Sequence, residues 1–163
     1  VDAMIGNWDR HNGNWGFLYD TRTDEMTLAP VYDCGSCLYP QADDEIMRKV
    51  LSNESDLNYR IFEIPTSAIM LNGKKIKYFD FISSLQNADC NRALKRIVPR
   101  VDMAKIRRII EDTPFISELQ KRFYTTMLEK RKERILDFSL MKLERGKIEP
   151  VHKHSARQDR DER

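Results

Sequence analysis

Three side chains near the start of the chain have the types that phosphoryl transfer from ATP requires. Asp9 and Asn14 lie five positions apart in the segment NWDRHNGN, and Asp33 follows in the segment APVYDCG. In such a reaction one carboxylate orients the attacking hydroxyl and accepts its proton. An amide oxygen and a second carboxylate bind the magnesium ions that neutralise the phosphates. The segment therefore supplies each kind of group that this chemistry needs.

A short helix, a loop and a β-hairpin would have to position these groups. Val1, Met4 and Ile5 have helical spacing, and Gly6-Asn7 predicts the end of that helix. The segment WGFLY predicts a strand, DTRTD a turn and MTLA a second strand. Because the outer ends of two antiparallel strands lie close together, we expect Asn14 and Asp33 to be near neighbours.

Most of the remaining sequence predicts helices. Asn72-Gly73 predicts the type I′ turn of a second hairpin, between Ser67–Leu71 and Lys74–Phe79. Residues 41–60 are mixed and predict a helix. Helical patterns also cover these ranges: Phe79–Gln86, Cys90–Val98, Asp102–Glu111 and Phe115–Leu143. The fold class expected from the pattern is therefore mainly α, with small β-hairpins.

The last helix has recognisable end signals. Thr113 is expected to be its N-cap, with Pro114 in the first turn and Gly146 just past the end. Its middle, EKRKER at residues 129–134, has no apolar residue and predicts a solvated helical turn. Residues 147–163 lose the periodicity and predict a disordered tail.

Composition excludes several classes of protein. The chain has 163 residues, of which 33% are charged, and no apolar run reaches the roughly 18 residues of a membrane span. It begins at Val1 without a secretory signal, so we expect a piece of a longer protein. Three Cys are too few for a disulfide framework, which predicts a reducing cytoplasm.

The charge is divided along the chain. Residues 1–90 carry 8 Lys and Arg against 14 Asp and Glu, whereas residues 91–145 carry 15 against 8. The acidic half contains the candidate metal-binding segment. The basic helices, and the Lys-rich turn at residues 74–77, could bind nucleic acid, but no aromatic residues alternate with the basic ones. We therefore interpret them as solvated faces.

The motifs resemble those of a known family. Asp9 and Asn14 followed by Asp33-Cys34-Gly35 resemble the catalytic and metal loops of the protein-kinase fold. His11 and the approach LAPVYD, at residues 28–33, resemble the HipA-like serine/threonine kinases of bacteria. The resemblance covers about residues 3–40.

This resemblance implies a fold and a set of roles. Asp9 would be the catalytic base and Asn14 and Asp33 the magnesium ligands, while His11 and Tyr32 would shape the ATP site. Residues 1–146 would form the C-terminal lobe of a HipA-like kinase that phosphorylates a serine or threonine of a protein substrate. That lobe would comprise a catalytic loop at residues 7–14, a metal loop at residues 29–35 and a helical remainder at residues 79–145.

The chain lacks the parts that usually cover ATP. No G-x-G-x-x-G can be formed from its six glycines, and no segment corresponds to the N-terminal lobe that carries the phosphate-binding loop and lysine. We therefore expect the missing N-terminal lobe to be a partner of this chain, and the chain alone to be inactive. Toxin kinases of this family imply a further partner, a DNA-binding antitoxin-type protein.

Two other functions remain open. The chain could be a non-catalytic interaction module of the same fold, such as the partner-binding lobe of a toxin–antitoxin pair. Retention of Asp9, Asn14 and Asp33 argues against this. It could also be a small-molecule phosphotransferase. Enzymes of the aminoglycoside-kinase type tend to have His-Gly-Asp at the catalytic loop, where this chain has Asn7-Trp8-Asp9.

The other chemistry-bearing residues have plainer interpretations. Cys34 and Cys37 have the C-x-x-C spacing of a redox or zinc half-site, but without further ligands they predict ordinary reduced cysteines. We expect His11 to hydrogen-bond the backbone and hold the loop in shape. Trp8 and Trp15 are expected to anchor the loop to the core.

Overall fold

Residues 118–145 form an uninterrupted helical stretch against which the other helices pack. The computed structural model describes residues 1–64 and 66–146. Within this stretch lie α7 (Glu118–Arg131), a π-helical segment (Lys132–Asp137) and α8 (Phe138–Arg145). At about 1.5 Å per residue the stretch is roughly 40 Å long, so neighbouring helices can share it as a common support.

The described residues place ten further labelled elements before this stretch. In chain order they are α1 (Asp2–Ile5), β1 (Phe17–Asp20), β2 (Glu25–Leu28), α2 (Asp44–Ser52), α3 (Glu54–Asn58), β3 (Thr66–Leu71), β4 (Lys74–Lys77), α4 (Tyr78–Ser83), α5 (Ala88–Ile97) and α6 (Met103–Glu111). A 3-10 turn at Asn12–Asn14, another at Val98–Arg100 and a π-helical segment at Tyr59–Glu63 complete the set. The fold class predicted from the sequence is confirmed.

Both predicted hairpins are present. Strands β1 and β2 pair antiparallel, with Phe17 opposite Leu28 and Asp20 opposite Glu25. Strands β3 and β4 pair around Asn72 and Gly73, whose φ angles are 52° and 75°. Two successive positive φ angles are the requirement of a type I′ turn, and Asn-Gly meets it without a bulky side chain.

The core lies along the long helical stretch. Helices α1, α2 and α6 contact α7, while α4 and α5 contact α8. The side chains of Phe123, Met127 and Ile135 on the stretch are almost completely buried. The ring of Tyr39 meets that of Phe123 edge to face at 6.0 Å. Burial of each such apolar side chain stabilises the fold by about 1.5–3 kcal/mol.

The predicted start of the last helix is wrong. Its N-cap is Ser117 rather than Thr113, and a capping box joins the Ser117 hydroxyl and the Gln120 side chain to each other's backbone. Pro114 precedes the helix, and Phe115 has a φ of 66° and is fully exposed. Thr113 and Ser117 are both suitable N-cap residues. Only Ser117 has a Gln three residues later that can complete a capping box, and this decides where the helix begins.

The prediction of a solvated turn at residues 129–134 is wrong for Arg131. This side chain is 1% exposed and donates hydrogen bonds to the carbonyl oxygens of Ala3, Arg60 and Ile61. It also donates to the Tyr39 hydroxyl at 3.1 Å. The Arg131 guanidinium therefore links segments that are far apart in the sequence.

The end of the helix agrees with its sequence signal, since α8 ends at Arg145 and Gly146 is its C-cap. The predicted disordered tail at residues 147–163 lies outside the described residues. None of the helices in the described part of the chain combines the length and apolarity that crossing a bilayer demands.

Candidate active site

Asn7 holds the loop that carries Asp9. Helix α1 ends at Gly6, whose φ of 65° turns the chain. The side chain of Asn7 is fully buried, and its Oδ1 accepts a hydrogen bond from the Asp9 backbone at 3.0 Å. Its Nδ2 donates to Asp2 at 3.1 Å. The hydroxyl of Tyr78 donates to the Asn7 carbonyl, and burial raises the pKa of Tyr78, which keeps this donor protonated.

Asn14 lies in the 3-10 turn that closes the loop. It is 5% exposed, and its Nδ2 donates to the Asp9 carbonyl oxygen at 2.8 Å. This bond fixes which end of the amide faces the loop backbone, and it leaves Oδ1 as the end that can accept or ligate. Asp9 and Asn14 are thus joined directly, whereas the Asp9 carboxylate is partly exposed.

Arg10 joins the Asp9 loop to the segment that carries Asp33. Its guanidinium makes two hydrogen bonds to the Asp2 carboxylate, at 3.0 and 3.1 Å. Its Nη1 donates to the carbonyl oxygens of both Asn14 and Tyr32. The bond to Asp2 raises the pKa of Arg10, so the clamp stays charged. We therefore assign Arg10 a positioning role.

His11 and Tyr32 shape the turn between them. His11 Nδ1 accepts a hydrogen bond from the Gly13 backbone at 3.0 Å, which confirms the expected contact with the backbone. The Tyr32 hydroxyl donates to the Gly13 carbonyl oxygen at 3.1 Å. A Cβ at Gly13 would lie 3.0 Å from the His11 ring, so a larger residue there would require the ring to shift by a few tenths of an ångström.

Asp33 follows Tyr32 and is exposed. Its φ of 53° lies in the left-handed region, which Asp tolerates better than most residues. Further along, the Leu38 backbone donates to the Ile5 carbonyl oxygen at 2.9 Å. The segment from Tyr32 to Leu38 is therefore fixed at both ends, by Arg10 and by α1.

The donor set fits magnesium. Asn14 offers an amide oxygen and Asp33 a carboxylate, and hard oxygen donors are the ligands that Mg²⁺ prefers. Cys34 and Cys37 are both free thiols. Across residues 1–64 and 66–146, no group of three or more His, Cys, Asp and Glu side chains could hold a metal ion. That Cys34 and Cys37 are ordinary reduced cysteines stays a prediction.

The residues that hold the two loops in place could not be identified from the sequence. Asn7, Asp2 and Tyr78 were not among the predicted site residues, and Arg10 had no assigned role. The sequence predicts Asn7 at the end of the first helix and the start of the catalytic loop but assigns no contact to its side chain, although Asn side chains commonly hydrogen-bond nearby backbone. The expectation that the two tryptophans anchor the loop is wrong, since Trp8 is 43% and Trp15 50% exposed.

Comparison with known proteins gives one clear likeness. No family model matches the chain. Over 138 residues it is 54% identical to a protein of Helicobacter pylori named serine/threonine-protein kinase CtkA. That relative is a kinase. The matched region is 84% of this chain and 42% of the relative, so this chain spans less than half of the relative's length.

A solved structure gives the same result. The crystal structure of a Helicobacter pylori proinflammatory kinase CtkA matches this chain with a TM-score of 0.84 and 51% sequence identity. The match covers 90% of this chain and 54% of that one. The mainly helical architecture with its small hairpins is therefore that of about half of a kinase structure.

Proposed function

We propose that this chain is the C-terminal lobe of a HipA-like kinase that transfers phosphate from ATP to a serine or threonine of a protein. The observation that carries the proposal is the joining of the Asp9 loop, Asn14 and the segment before Asp33 by Asn7 and Arg10. The likeness to CtkA over almost the whole described chain supports it.

In this proposal Asp9 is the general base. Its carboxylate is partly exposed beside a loop whose backbone is fixed by Asn7, so a serine or threonine hydroxyl can approach it. The carboxylate orients that hydroxyl and accepts its proton as the bond to phosphorus forms. Arg10 lies behind the loop and holds its backbone without touching the reacting groups.

Asn14 and Asp33 are the proposed magnesium ligands. When bound, magnesium neutralises charge on the phosphate oxygens of ATP. Asn14 presents Oδ1 because its Nδ2 is held by the Asp9 carbonyl oxygen. Asp33 is placed by the Tyr32 backbone, which Arg10 holds at 2.8 Å. His11 and Tyr32 keep the Gly13 turn in shape beside the nucleotide.

The first hairpin supports the view that more protein completes the site. Apolar side chains on both of its faces are more than half exposed: Phe17, Leu18, Tyr19, Met26 and Leu28. An isolated two-stranded hairpin is marginally stable, and exposed apolar surface of this kind marks an interface. We propose that the N-terminal lobe covers it, that the protein works in the cytoplasm, and that an antitoxin-type protein is a candidate partner.

Substitution of the two carboxylates tests the proposal. In the full-length protein that contains this chain, Asp9→Asn and Asp33→Asn are each expected to lower phosphate transfer by at least about 100-fold. Only Asp33→Asn should also weaken magnesium-dependent ATP binding. Asp112→Asn, at the exposed end of α6, is the matched control and should keep wild-type transfer. Equal ATP binding by the two carboxylate variants would contradict the assigned roles.

A further inference from the structure

A cavity of about 370 Å³ opens beside the Asp9 loop. Trp8, the residue before Asp9, forms one wall, and Tyr39, six residues after Asp33, forms another. The catalytic loop therefore borders the cavity, together with the segment that follows the metal loop. A cavity of this size lies at the lower end of the range for small-ligand sites and can take one or two amino-acid side chains.

Two cations line the cavity without an acidic counterpart. Arg60 and Lys75 are both part of its wall, and none of its described lining residues is Asp or Glu. The Arg60 guanidinium lies 5.6 Å from the centre of the Tyr39 ring, and it makes no ion pair with a described carboxylate. The Lys75 ammonium has no ion-pair partner within residues 1–64 and 66–146 either. The wall is therefore positively charged.

Acidic residues near the cavity are engaged elsewhere. Glu63 forms an ion pair with Lys77 at 2.5 Å. Lys77 is the next residue after Lys75 on the same face of β4. Asp43 accepts from the Ile46 backbone at 2.9 Å as the N-cap of α2. Because neither carboxylate is part of the cavity wall, the positive charge of Arg60 and Lys75 is left to an occupant from outside the chain.

One side of the cavity wall, at Tyr39, is held in place by hydrogen bonds. Tyr39 is buried, with a φ of 57°, and its hydroxyl donates to the carbonyl oxygens of Arg60 and Ile64. Arg131 also donates a hydrogen bond to the Tyr39 hydroxyl. A pocket held in this way does not have to be ordered when a ligand binds, which lowers the entropic cost of binding.

We propose that this cavity binds an anionic side chain of the protein substrate, a carboxylate or a phosphorylated residue, beside the hydroxyl that is phosphorylated. The inference rests on the proposed function, because Asp9 must be the base for the cavity to lie at the substrate. Arg60 supplies a planar, ring-stacked cation and Lys75 a mobile one, and Trp8 covers the apolar part of the bound side chain.

A set of matched peptides tests this in the full-length protein. One peptide has a serine flanked by Glu, a second has Gln at the same positions and a third has phosphoserine. We expect kcat/KM to be about tenfold higher for the Glu peptide than for the Gln peptide, mainly through KM, and to converge at high salt. A higher value for the phosphoserine peptide would identify phosphorylated proteins as the source of the anion.

Substitutions of two lysines test whether Lys75 causes the preference for the Glu peptide. Lys75→Gln is expected to reduce the preference for Glu by about three- to tenfold, and Lys75→Glu to reverse it in favour of a Lys peptide. Lys74→Gln, on the exposed neighbour outside the cavity, is the control and should leave the preference unchanged. Equal use of the Glu and Gln peptides by wild type would overturn the proposal. So would a loss of ATP binding in Lys75→Gln, since the anion would then be the nucleotide.

Peptide binding in the Asp9→Asn background separates the two proposals. Fluorescence anisotropy of labelled peptides measures binding there without transfer. Preferential Glu-peptide binding that Lys75→Gln removes, together with no transfer by the wild type, would support the cavity and contradict the kinase function. Transfer with no charge preference would support the kinase function and contradict the cavity.

Discussion

Arg10 and Arg131 hold the candidate site with hydrogen bonds to backbone carbonyl oxygens. Arg10 binds the carbonyls of Asn14 and Tyr32, next to the proposed magnesium ligands. Arg131 binds the carbonyl of Ala3, in the helix that leads into the Asp9 loop. Arginine suits this role because its planar group presents five donors in fixed directions and stays charged. Each therefore fixes several chain segments at once.

We predict that Arg131→Met strongly destabilises the fold. Methionine fills much of the volume but removes the donor to the buried carbonyl oxygens of Ala3 and Ile61, and each such loss costs about 1–3 kcal/mol. We expect the free energy of unfolding, measured in urea, to fall by about 3 kcal/mol or more. Lys130→Met, which removes an ion pair with Glu133 on the same helix, should change it by less than about 0.5 kcal/mol. Similar values for both variants would contradict the bridging role of Arg131.

The Cys37 thiol is predicted to stay protonated at neutral pH. Burial raises its pKa from 9.0 to about 12. Because the thiolate is the reactive form, iodoacetamide at pH 8 should modify exposed Cys34 and leave Cys37 largely unmodified, as mass spectrometry can show. Between pH 9 and 12 the unfolded chain loses this proton while the folded chain keeps it, so stability should fall as pH rises there. Rapid labelling of Cys37 at pH 8 would show that the thiol is not shielded.

Among the helices and strands, the capping box at Ser117 allows a specific test of where α7 begins. Ser117→Ala removes the hydroxyl that accepts from the Gln120 backbone and should lower the free energy of unfolding by about 1 kcal/mol. Thr113→Ala is the matched control. The Thr113 hydroxyl donates to the Ile109 carbonyl at an exposed helix end, so its loss should cost less than about 0.5 kcal/mol. A larger effect at Thr113 would restore the helix start expected from the sequence.

Elements with strong local signals could be predicted from the sequence. The hairpin at Asn72-Gly73 and the end of α1 at Gly6 depend on φ angles that neighbouring residues decide. The start of α7 could not be placed, because Thr113-Pro114 and Ser117 are both good start signals four residues apart. The π-helical segments could not be predicted either, since they interrupt patterns that are continuous in the sequence.

In the molecule as a whole, some residues of the candidate site could likewise be predicted from the sequence and others could not. Asp9, Asn14 and Asp33 could be identified because their spacing lies within one short segment. The groups that hold them could not, because Arg131 contacts Ala3 across 128 positions and Tyr78 contacts Asn7 across 71. A charged run such as EKRKER is usually solvated, and only the packed fold shows which member turns inward.

We also expect that this chain does not act alone. It spans 42% of the length of its curated relative, and its first hairpin exposes apolar side chains on both faces. Catalysis of phosphoryl transfer needs groups on both sides of the phosphates. We therefore expect the Asp9, Asn14 and Asp33 set to be necessary for transfer and insufficient by itself.

The proposed function can be tested by transfer of radiolabelled γ-phosphate from ATP, measured for the full-length protein and for this chain alone under identical conditions. We predict magnesium-dependent labelling of a serine or threonine by the full-length protein and none above background by the chain alone. The absence of labelling by the full-length protein would contradict phosphoryl transfer. Robust labelling by the chain alone would contradict its being an incomplete half of the site.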